Sequence, residues 1–156
     1  MVKTNAMRLL DQAGISYRVT QYDYDEDDLS GIHAAEAIGM PPEQVFKTLV
    51  AKSNSNTVAV FCIPVCCSLD LKLAAGAFCA KNIAMVAMKD LLPLTGYIRG
   101  GCSPIGMKKL YPTFIDETAE LYDEIAVSAG VRGQQIILSP TDLIRYVNMT
   151  ISNLTQ

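Results

Sequence analysis

The residues best suited to chemistry lie in one glycine-rich segment, residues 95–109, with the sequence TGYIRGGCSPIGMKK. Glycine lets the backbone adopt conformations, and approach ligands at distances, that other residues do not allow. Ser103-Pro104 stiffens the segment, since the residue before a proline is held extended. Arg99, Lys108 and Lys109 add positive charge on both sides. The segment can therefore offer backbone N–H groups to an anion or a carbonyl oxygen, or it can be a plain glycine-rich hairpin.

Lys47 is the second candidate, because it stands in an otherwise apolar stretch, Phe46-Lys47-Thr48-Leu49-Val50-Ala51. In a strand, alternation places Lys47 on one face with Leu49 and Ala51, a face that looks at least half buried. A lysine there either extends to the edge of the sheet or points into a cleft that binds a negative group. The spacing alone leaves both interpretations open.

The usual catalytic and metal-binding combinations are missing from the sequence. It has one histidine, His33, so a Ser-His or Cys-His pair is not indicated. The five cysteines form no CxxC pair and are expected to be free thiols: Cys62, Cys66, Cys67, Cys79 and Cys102. No P-loop is present. We therefore expect no metal and no cofactor, and a site that positions and polarises a substrate carrying its own nucleophile, or activates a water.

The charge is unevenly distributed along the chain, although the net charge is only −3. Residues 44–115 hold eight basic and two acidic side chains, a balance of +6, and the rest holds five basic and fourteen acidic, a balance of −9. The positive segment can form a surface for nucleic acid, or its lysines can be scattered over the molecule.

The elements needed to position these residues follow from periodicity and capping signals. The pattern predicts helices over residues 5–13, 32–39, 70–78, 88–94 and from 139 onward, and strands or extended runs over 15–22, 46–51, 57–64, 83–87, 111–116, 124–128 and 134–138. Strands and helices do not alternate regularly. We therefore predict an α+β fold with a mixed, strongly curved sheet of six to eight strands and surrounding helices.

Length and composition predict one domain spanning residues 1–156. No apolar run approaches the roughly 18 residues that a membrane span needs, and the N-terminus lacks the apolar centre of a signal peptide. We expect a cytoplasmic protein that does not enter membranes.

Six segments together resemble the YbaK/EbsC family of aminoacyl-tRNA deacylases. The residues that carry the resemblance occur in the family's order across nearly the whole chain: Lys3–Ala6, Val45–Leu49, Leu69–Lys72, the run from Gly96 to Gly106 with its GxxxP element, Val127–Gly133 and Pro140–Leu143. The resemblance implies an editing-domain fold like that attached to prolyl-tRNA synthetases, and an activity on the acceptor end of aminoacyl-tRNA.

The resemblance also implies a chemistry that the spacing could not show. Relatives remove cysteine from mischarged Cys-tRNA(Pro), and the cysteinyl thiol attacks its own ester carbonyl to give a thiolactone. Lys47 and Gly100 match the family's catalytic positions, the lysine holding the tRNA 3′ end or the carbonyl and Gly100 fixing the aminoacyl carbonyl. Matching substrate-binding positions are Tyr22, Thr48, Gly101, Ser103, Pro104 and Ser128. Prolyl-tRNA synthetase is a candidate partner.

The chain departs from the family before Gly31, where relatives can carry an aromatic residue and this sequence has Ser30. This difference bears on the shape of the pocket and hence on amino-acid preference. Three other functions stay open: a deacylase for alanine or serine on tRNA, a non-catalytic tRNA- or synthetase-binding module, and a small phosphoribosyl-ligand binder.

Overall fold

The computed structural model describes residues 2–155. Its described part contains eight strands and five α-helices, with short 3-10 helices at Pro42–Gln44 and Glu117–Leu121. The helices are α1 (Asn5–Gln12), α2 (Gly31–Ile38), α3 (Leu71–Ala77), α4 (Met88–Thr95) and α5 (Pro140–Val147). The strands are β1 (Tyr17–Gln21), β2 (Phe46–Ser53), β3 (Val58–Pro64), β4 (Ile83–Met85), β5 (Thr113–Asp116), β6 (Ile125–Ser128), β7 (Gln134–Leu138) and β8 (Thr150–Ser152).

The strands form two sheets. One is an antiparallel sheet of three strands in the order β1-β7-β6, and the other has five strands in the order β4-β2-β3-β5-β8. The second sheet is mixed, since β2 runs antiparallel to β3 and β4, while β5 runs parallel to β3 and β8. The predicted α+β class is confirmed, but the eight strands are divided between two sheets and do not form one. The strong curvature stays a prediction.

Three apolar clusters hold these layers together. The largest lies between one face of each sheet and is closed by α1 and α5, with Phe46, Ile115, Val127, Ile136 and Leu143 among its members. A second cluster covers the other face of the five-stranded sheet with α3. The third covers the other face of the three-stranded sheet with α2. Each sheet is thus buried on both faces.

Capping side chains account for where several helices begin. The side chains of Thr4, Ser30, Asp70 and Ser139 accept hydrogen bonds from the first-turn N–H groups of α1, α2, α3 and α5, as side chains at N-cap positions commonly do. The missed strand β8 follows Asn148, whose φ of 63° ends α5 in the left-handed conformation. Thr150–Ser152 is too short to show a period-2 pattern, and its parallel pairing with β5 is set by tertiary structure.

The two sheets meet along β2, where a gap opens. Strand β4 pairs with β2 only over Ala51–Ser53, and β6 contacts the start of β2 through one parallel bridge between Val45 and Ala126. Residues between these two contacts have β3 on one side and no strand on the other. The functional site described below occupies this gap.

Helix α2 begins close to Val65, the residue that follows β3, and this contact at Gly31 gives a test of the packing beside the gap. A Cβ at Gly31 would lie 2.3 Å from Val65 Cγ1, whereas a Cβ at Gly76 in α3 would meet nothing within 4 Å. Gly31→Ala should therefore lower stability by about 1–3 kcal/mol, the usual cost of overpacking. Gly76→Ala, the matched control, should raise it by about 0.5–1 kcal/mol through helix propensity. Thermal unfolding of both variants measures the difference; equal stabilisation would contradict this packing.

A buried carboxylate, Asp116, binds the main chain at Leu154 near the C-terminus, and its contribution to stability can be tested. Asp116 is 1% exposed and accepts hydrogen bonds from Leu154 N (2.9 Å), Thr118 N (3.2 Å) and Thr118 Oγ1 (2.6 Å). Asp116→Ala leaves the Leu154 N–H buried without an acceptor, so we expect a loss of about 3 kcal/mol in denaturant unfolding. The exposed Asp123→Ala should change stability by less than about 0.5 kcal/mol. Equal, small effects would show that the carboxylate does not fasten the terminus.

Candidate active site

A cavity of about 470 Å³ fills the gap along β2. This volume lies within the roughly 300–1,000 Å³ typical of small-ligand sites. Its walls come from the start of α2, the first half of β2, the residues from β4 into α4, and the segment at Gly100. The cavity therefore forms where the three-stranded sheet, the five-stranded sheet and the glycine-rich segment converge.

Strand β2 supplies Lys47 and Thr48 to the cavity. Val65 N donates to Val45 O (2.8 Å), so the odd-numbered residues of β2 bond to β3 and the even-numbered ones turn their peptide groups the other way. Val50 O accordingly accepts from Val86 N (3.1 Å). Thr48 lies between the two contacts of β2 with β6 and β4, so its main-chain N–H and C=O face the cavity. The Thr48 hydroxyl lies 3.8 Å from the thiol of Cys62.

The glycine-rich segment is held in shape by bonds within itself. Thr95 Oγ1 donates to Leu91 O (2.8 Å) and accepts from Tyr97 N (3.0 Å), and Lys108 N donates to Thr95 O (3.1 Å). The Tyr97 hydroxyl donates to Ile105 O, and burial raises the pKa of Tyr97 to about 12. These contacts close the segment into a compact loop, so that Gly100 stands at a defined place on the cavity wall.

The two central glycines let this loop pack against the turn between β6 and β7. Gly100 has a φ of 85°, and a Cβ there would lie 3.4 Å from Arg132 Cγ in this turn and 3.2 Å from Leu29 Cδ2, just before α2. A Cβ at Gly101 would lie 3.1 Å from the main-chain carbon of Val131. Arg132 Nε also donates to Arg99 O (2.9 Å), which fixes the two turns together. The glycines are thus required by close packing, and Gly100 lines the cavity as well.

Three of the predicted substrate-binding residues lie outside the cavity lining. The N–H of Gly101 donates to Ile98 O (3.0 Å), and Ser103 is fully buried with its hydroxyl accepting from Ile105 N (3.2 Å). Pro104 is buried beside them. In this structure these three residues pack on the side of the loop that faces away from the cavity. A direct role in binding substrate stays a prediction.

The other predicted residues are brought together, although they are far apart in sequence. Tyr22, at the end of β1, and Ser128, the last residue of β6, both line the cavity with Lys47, Thr48 and Gly100. Ser128 Oγ accepts from Gly130 N (3.1 Å), which leaves its hydroxyl proton free to donate.

Several lining residues had not been assigned to the site from the sequence. They are Arg99, Cys102, Gln135 and an apolar wall that includes Ala34, Val45 and Val65; Ser30, whose position was expected to affect the shape of the pocket, lines the cavity with them. For Gln135 a signal was present, because it is a carboxamide beside the apolar run Ile136-Ile137-Leu138. In the sequence, a polar residue at this place is typical of the exposed end of a strand. In the structure, both faces of the sheet are covered, so the side chain is buried.

The cavity is electropositive. Lys47 and Arg99 line it, and no Asp or Glu within residues 2–155 does. The three ion pairs in the described part of the chain involve other residues: Lys3 with Asp11, Arg18 with Glu124, and His33 with Asp28. Both cavity cations are therefore available to a negative or polar group of a ligand. His33 lies outside the lining, with its Nδ1 3.8 Å from Asp28 Oδ2.

The thiol in the cavity is a poor nucleophile. Burial raises the pKa of Cys102 to about 12, and burial does the same for Cys62 behind it. A thiol with such a pKa is protonated near neutral pH, and the thiolate is the reactive form. The described residues also include no group of three His, Cys, Asp or Glu side chains that could hold a metal ion. The arrangement offers two cations, polar main-chain groups and hydroxyls around a partly apolar space.

No helix within residues 2–155 has the length and hydropathy to cross a membrane.

Comparisons with solved structures support the fold. The chain superposes on the crystal structure of "a putative trans-editing enzyme for prolyl tRNA synthetase" with a TM-score of 0.84 and 21% identity, covering 99% of both chains. A hypothetical protein of known crystal structure gives a TM-score of 0.86 at 17% identity, covering 96% of this chain and 97% of that one. At these identities the likeness establishes the architecture alone.

Sequence comparison establishes the family. A relative from Enterococcus faecalis (strain ATCC 700802 / V583), named "Putative Cys-tRNA(Pro)/Cys-tRNA(Cys) deacylase EbsC", is 44% identical over 153 residues, covering 98% of this chain and 93% of the relative. The family model described as an aminoacyl-tRNA editing domain matches residues 30–146. The resemblance inferred from the motifs is thus confirmed, and the chain belongs to the aminoacyl-tRNA editing domain family.

Proposed function

We propose that this protein is a trans-editing deacylase that removes cysteine from mischarged Cys-tRNA(Pro), and also acts on Cys-tRNA(Cys). The observation that carries the proposal is a cavity with positioning groups but without a nucleophile–base pair among the described residues. Such a site suits an ester that is already labile and whose acyl group brings its own nucleophile. The name of the 44%-identical relative supports the same substrates.

In the proposed reaction the cysteinyl sulfur attacks the carbonyl carbon of its own ester. A C–S bond forms, the C–O bond to the terminal ribose breaks, and the thiol proton passes to the ribose oxygen. The products are free tRNA and a cysteine thiolactone, which water then opens. No group of the protein becomes covalently modified, in agreement with a cavity thiol that burial keeps protonated, Cys102.

Lys47 has two effects in this scheme, and both are electrostatic. Its ammonium group beside the ester carbonyl stabilises the oxyanion that develops during attack. A nearby cation also favours ionisation of the substrate thiol, since it lowers the pKa of an acid whose ionised form is negative. Gly100 and the main-chain groups of Thr48 orient the carbonyl, and Tyr22 and Ser128 border the same space.

The tRNA itself is held at its acceptor end. Lys108 and Lys109 stand in the same glycine-rich segment as Arg99 and Gly100, and Lys89 lies in α4 just before it, so phosphates next to the cavity would meet positive charge. Residues 2–155 contain no recognisable module for binding specific bases, so we expect the protein not to distinguish one tRNA body from another. We propose that prolyl-tRNA synthetase supplies that selectivity in the cytoplasm, where tRNA is charged and edited.

Lys47→Ala should lower the rate of Cys-tRNA deacylation by ~30-fold or more. This corresponds to about 2–4 kcal/mol of transition-state stabilisation from one preorganised cation. Lys52→Ala is the matched control, because Lys52 lies on the same strand outside the cavity lining. Single-turnover deacylation with both variants, together with their melting temperatures, makes the measurement. A Lys47→Ala variant with normal activity would remove Lys47 from the mechanism and favour a different site.

Substrate-assisted cleavage is tested by changing the sulfur atom of the substrate. Cys-tRNA(Pro) should be deacylated rapidly, and Ser-tRNA(Pro) slowly, because a thiol ionises near neutral pH and a hydroxyl does not. S-methylation of the cysteinyl group should abolish turnover while binding persists. Rapid turnover of the S-methylated substrate would refute self-attack and favour an activated water.

Cys102→Ser distinguishes self-attack from a covalent enzyme intermediate. Activity should be retained, since the Cys102 thiol has a pKa of about 12 and does not attack in this scheme. A folded but inactive Cys102→Ser variant would instead identify Cys102 as the nucleophile.

A further inference from the structure

Two methionines at the mouth of the cavity take no part in the proposed mechanism. Met85 is the last residue of β4 and Met88 is the first residue of α4, and both line the cavity. Met85 is 45% exposed and Met88 is 62% exposed, so neither is buried in a core. Exposed apolar side chains that are grouped at a cavity mark a surface where a ligand or partner binds. We call this pair the methionine shelf.

Strand pairing places the methionine shelf on the same face of the sheet as Lys47. Met85 pairs with Ala51 across β4 and β2, and directly paired residues point to the same face. Side chains alternate along β2, so Lys47, Leu49 and Ala51 also point to that face. Lys47, Leu49 and Met85 all line the cavity. One wall of the cavity therefore runs from the lysine to the methionine shelf.

The cavity extends farther from Lys47 on the side of the shelf than on the other side. Val45, in the apolar wall, is two residues before Lys47, a distance of about 7 Å at the usual rise of a strand. Ala51, beside the shelf, is four residues after Lys47, a distance of about 13 Å. An ester held at Lys47 has a small arm, the cysteinyl group, and a large arm, the terminal nucleoside. The short side suits the acyl group and the long side suits the nucleoside.

The chemistry of the methionine shelf fits a flat aromatic ring. The thioether of methionine is polarisable and makes favourable contacts with aromatic rings. A methionine side chain has no hydrogen-bond donor, so it contacts the face of a base and does not read the polar groups on its edge. Binding by the face of the base is sequence-tolerant, because every base has one. Such a contact is sufficient here, since the terminal base of every tRNA is adenine.

We propose that the methionine shelf binds the adenine of the terminal nucleoside, an inference that rests on the proposed function. With the adenine on the shelf, the ribose lies at Leu49 and the ester carbonyl reaches Lys47, and the cysteinyl side chain points toward Val45. The shelf thereby sets which side of Lys47 receives the acyl group. It also makes the protein select tRNA esters over small cysteine esters that carry no base.

Replacing both methionines by alanine tests the assignment. The double variant Met85→Ala/Met88→Ala should raise the KM for Cys-tRNA ~10-fold and leave kcat unchanged, because contacts to the base are the same in the bound ester and in the transition state. Leu92→Ala is the matched control, since Leu92 is a 50% exposed residue of α4 outside the cavity lining. Its KM should equal that of the wild type. An unchanged KM in the double variant would overturn the assignment.

A substrate without the terminal base turns this comparison into a double-mutant cycle. Cys-tRNA with an abasic terminal nucleoside keeps the ester, the ribose and the phosphates. On this substrate the wild type and the double variant should have equal KM values, both raised ~10-fold. A double variant that loses affinity equally on both substrates would show a change in packing, and the adenine contact would be refuted.

Binding of nucleotide fragments separates this proposal from the proposed function. The probes are AMP and ribose 5-phosphate, titrated into protein with isotope-labelled methionine methyl groups. AMP should shift the methyl resonances of Met85 and Met88 by its ring current, ribose 5-phosphate should not, and the resonance of the buried Met7 should stay in place.

The shifts caused by AMP would support the shelf even if Cys-tRNA proves not to be a substrate. Their absence would refute the shelf even if Cys-tRNA is cleaved. Shifts of Met85 and Met88 that follow protein concentration without either probe would identify a surface for a second copy of this chain, and would overturn the assignment as well.

Discussion

The site depends on an incomplete strand pairing along β2. A strand edge without a neighbour presents N–H and C=O groups that must find partners elsewhere, and proteins usually cover or pair such edges. Here β4 covers only Ala51–Ser53, and β6 only reaches Val45. The main chain of Thr48 remains directed into a cavity between them, with Lys47 beside it. The same gap that divides the strands into two sheets therefore provides both the space and the polar main chain for a ligand.

The elements around this gap pack closely against their neighbours, and at two places this packing requires a glycine. Gly31 lets the start of α2 lie against Val65, where a Cβ would be 2.3 Å from the valine. Gly101 lets the loop of residues 95–109 lie against Val131, where a Cβ would be 3.1 Å from its main-chain carbon. The first contact lies at the cavity wall, since Gly31 and Val65 both line it, and the second lies behind the wall and sets the position of the loop that carries Gly100.

Local signals in the sequence predicted the elements well and their assembly poorly. Caps such as Thr4 and Asp70, and the apolar run from Thr57 to Pro64, act within a few residues, so α1, α3 and β3 lie close to where they were expected. The strands divide into two sheets because only the single Val45–Ala126 bridge joins β6 to the start of β2, and no local pattern encodes this limited pairing. For the site, motif resemblance predicted Lys47 and Gly100, which line the cavity, and also Ser103, which is fully buried in the loop behind it. Gln135 was missed because it joins the cavity only through the pairing of β6 with β7, which places it opposite Ser128.

The charge of the cavity fits the proposed chemistry better than the charge of the whole protein does. The chain is acidic overall, with a net charge of −3, yet the cavity is lined by Lys47 and Arg99 and by no carboxylate from residues 2–155. A carboxylate would help a water attack as a general base, but it would also repel a forming thiolate and pair with the lysine. A site that only attracts negative charge gives little help to an attacking water and more help to a sulfur that ionises readily. Under the proposed function, selection for cysteine would arise from the acidity of the substrate's own side chain, and the apolar wall at Ala34, Val45 and Val65 would need only to admit a small residue.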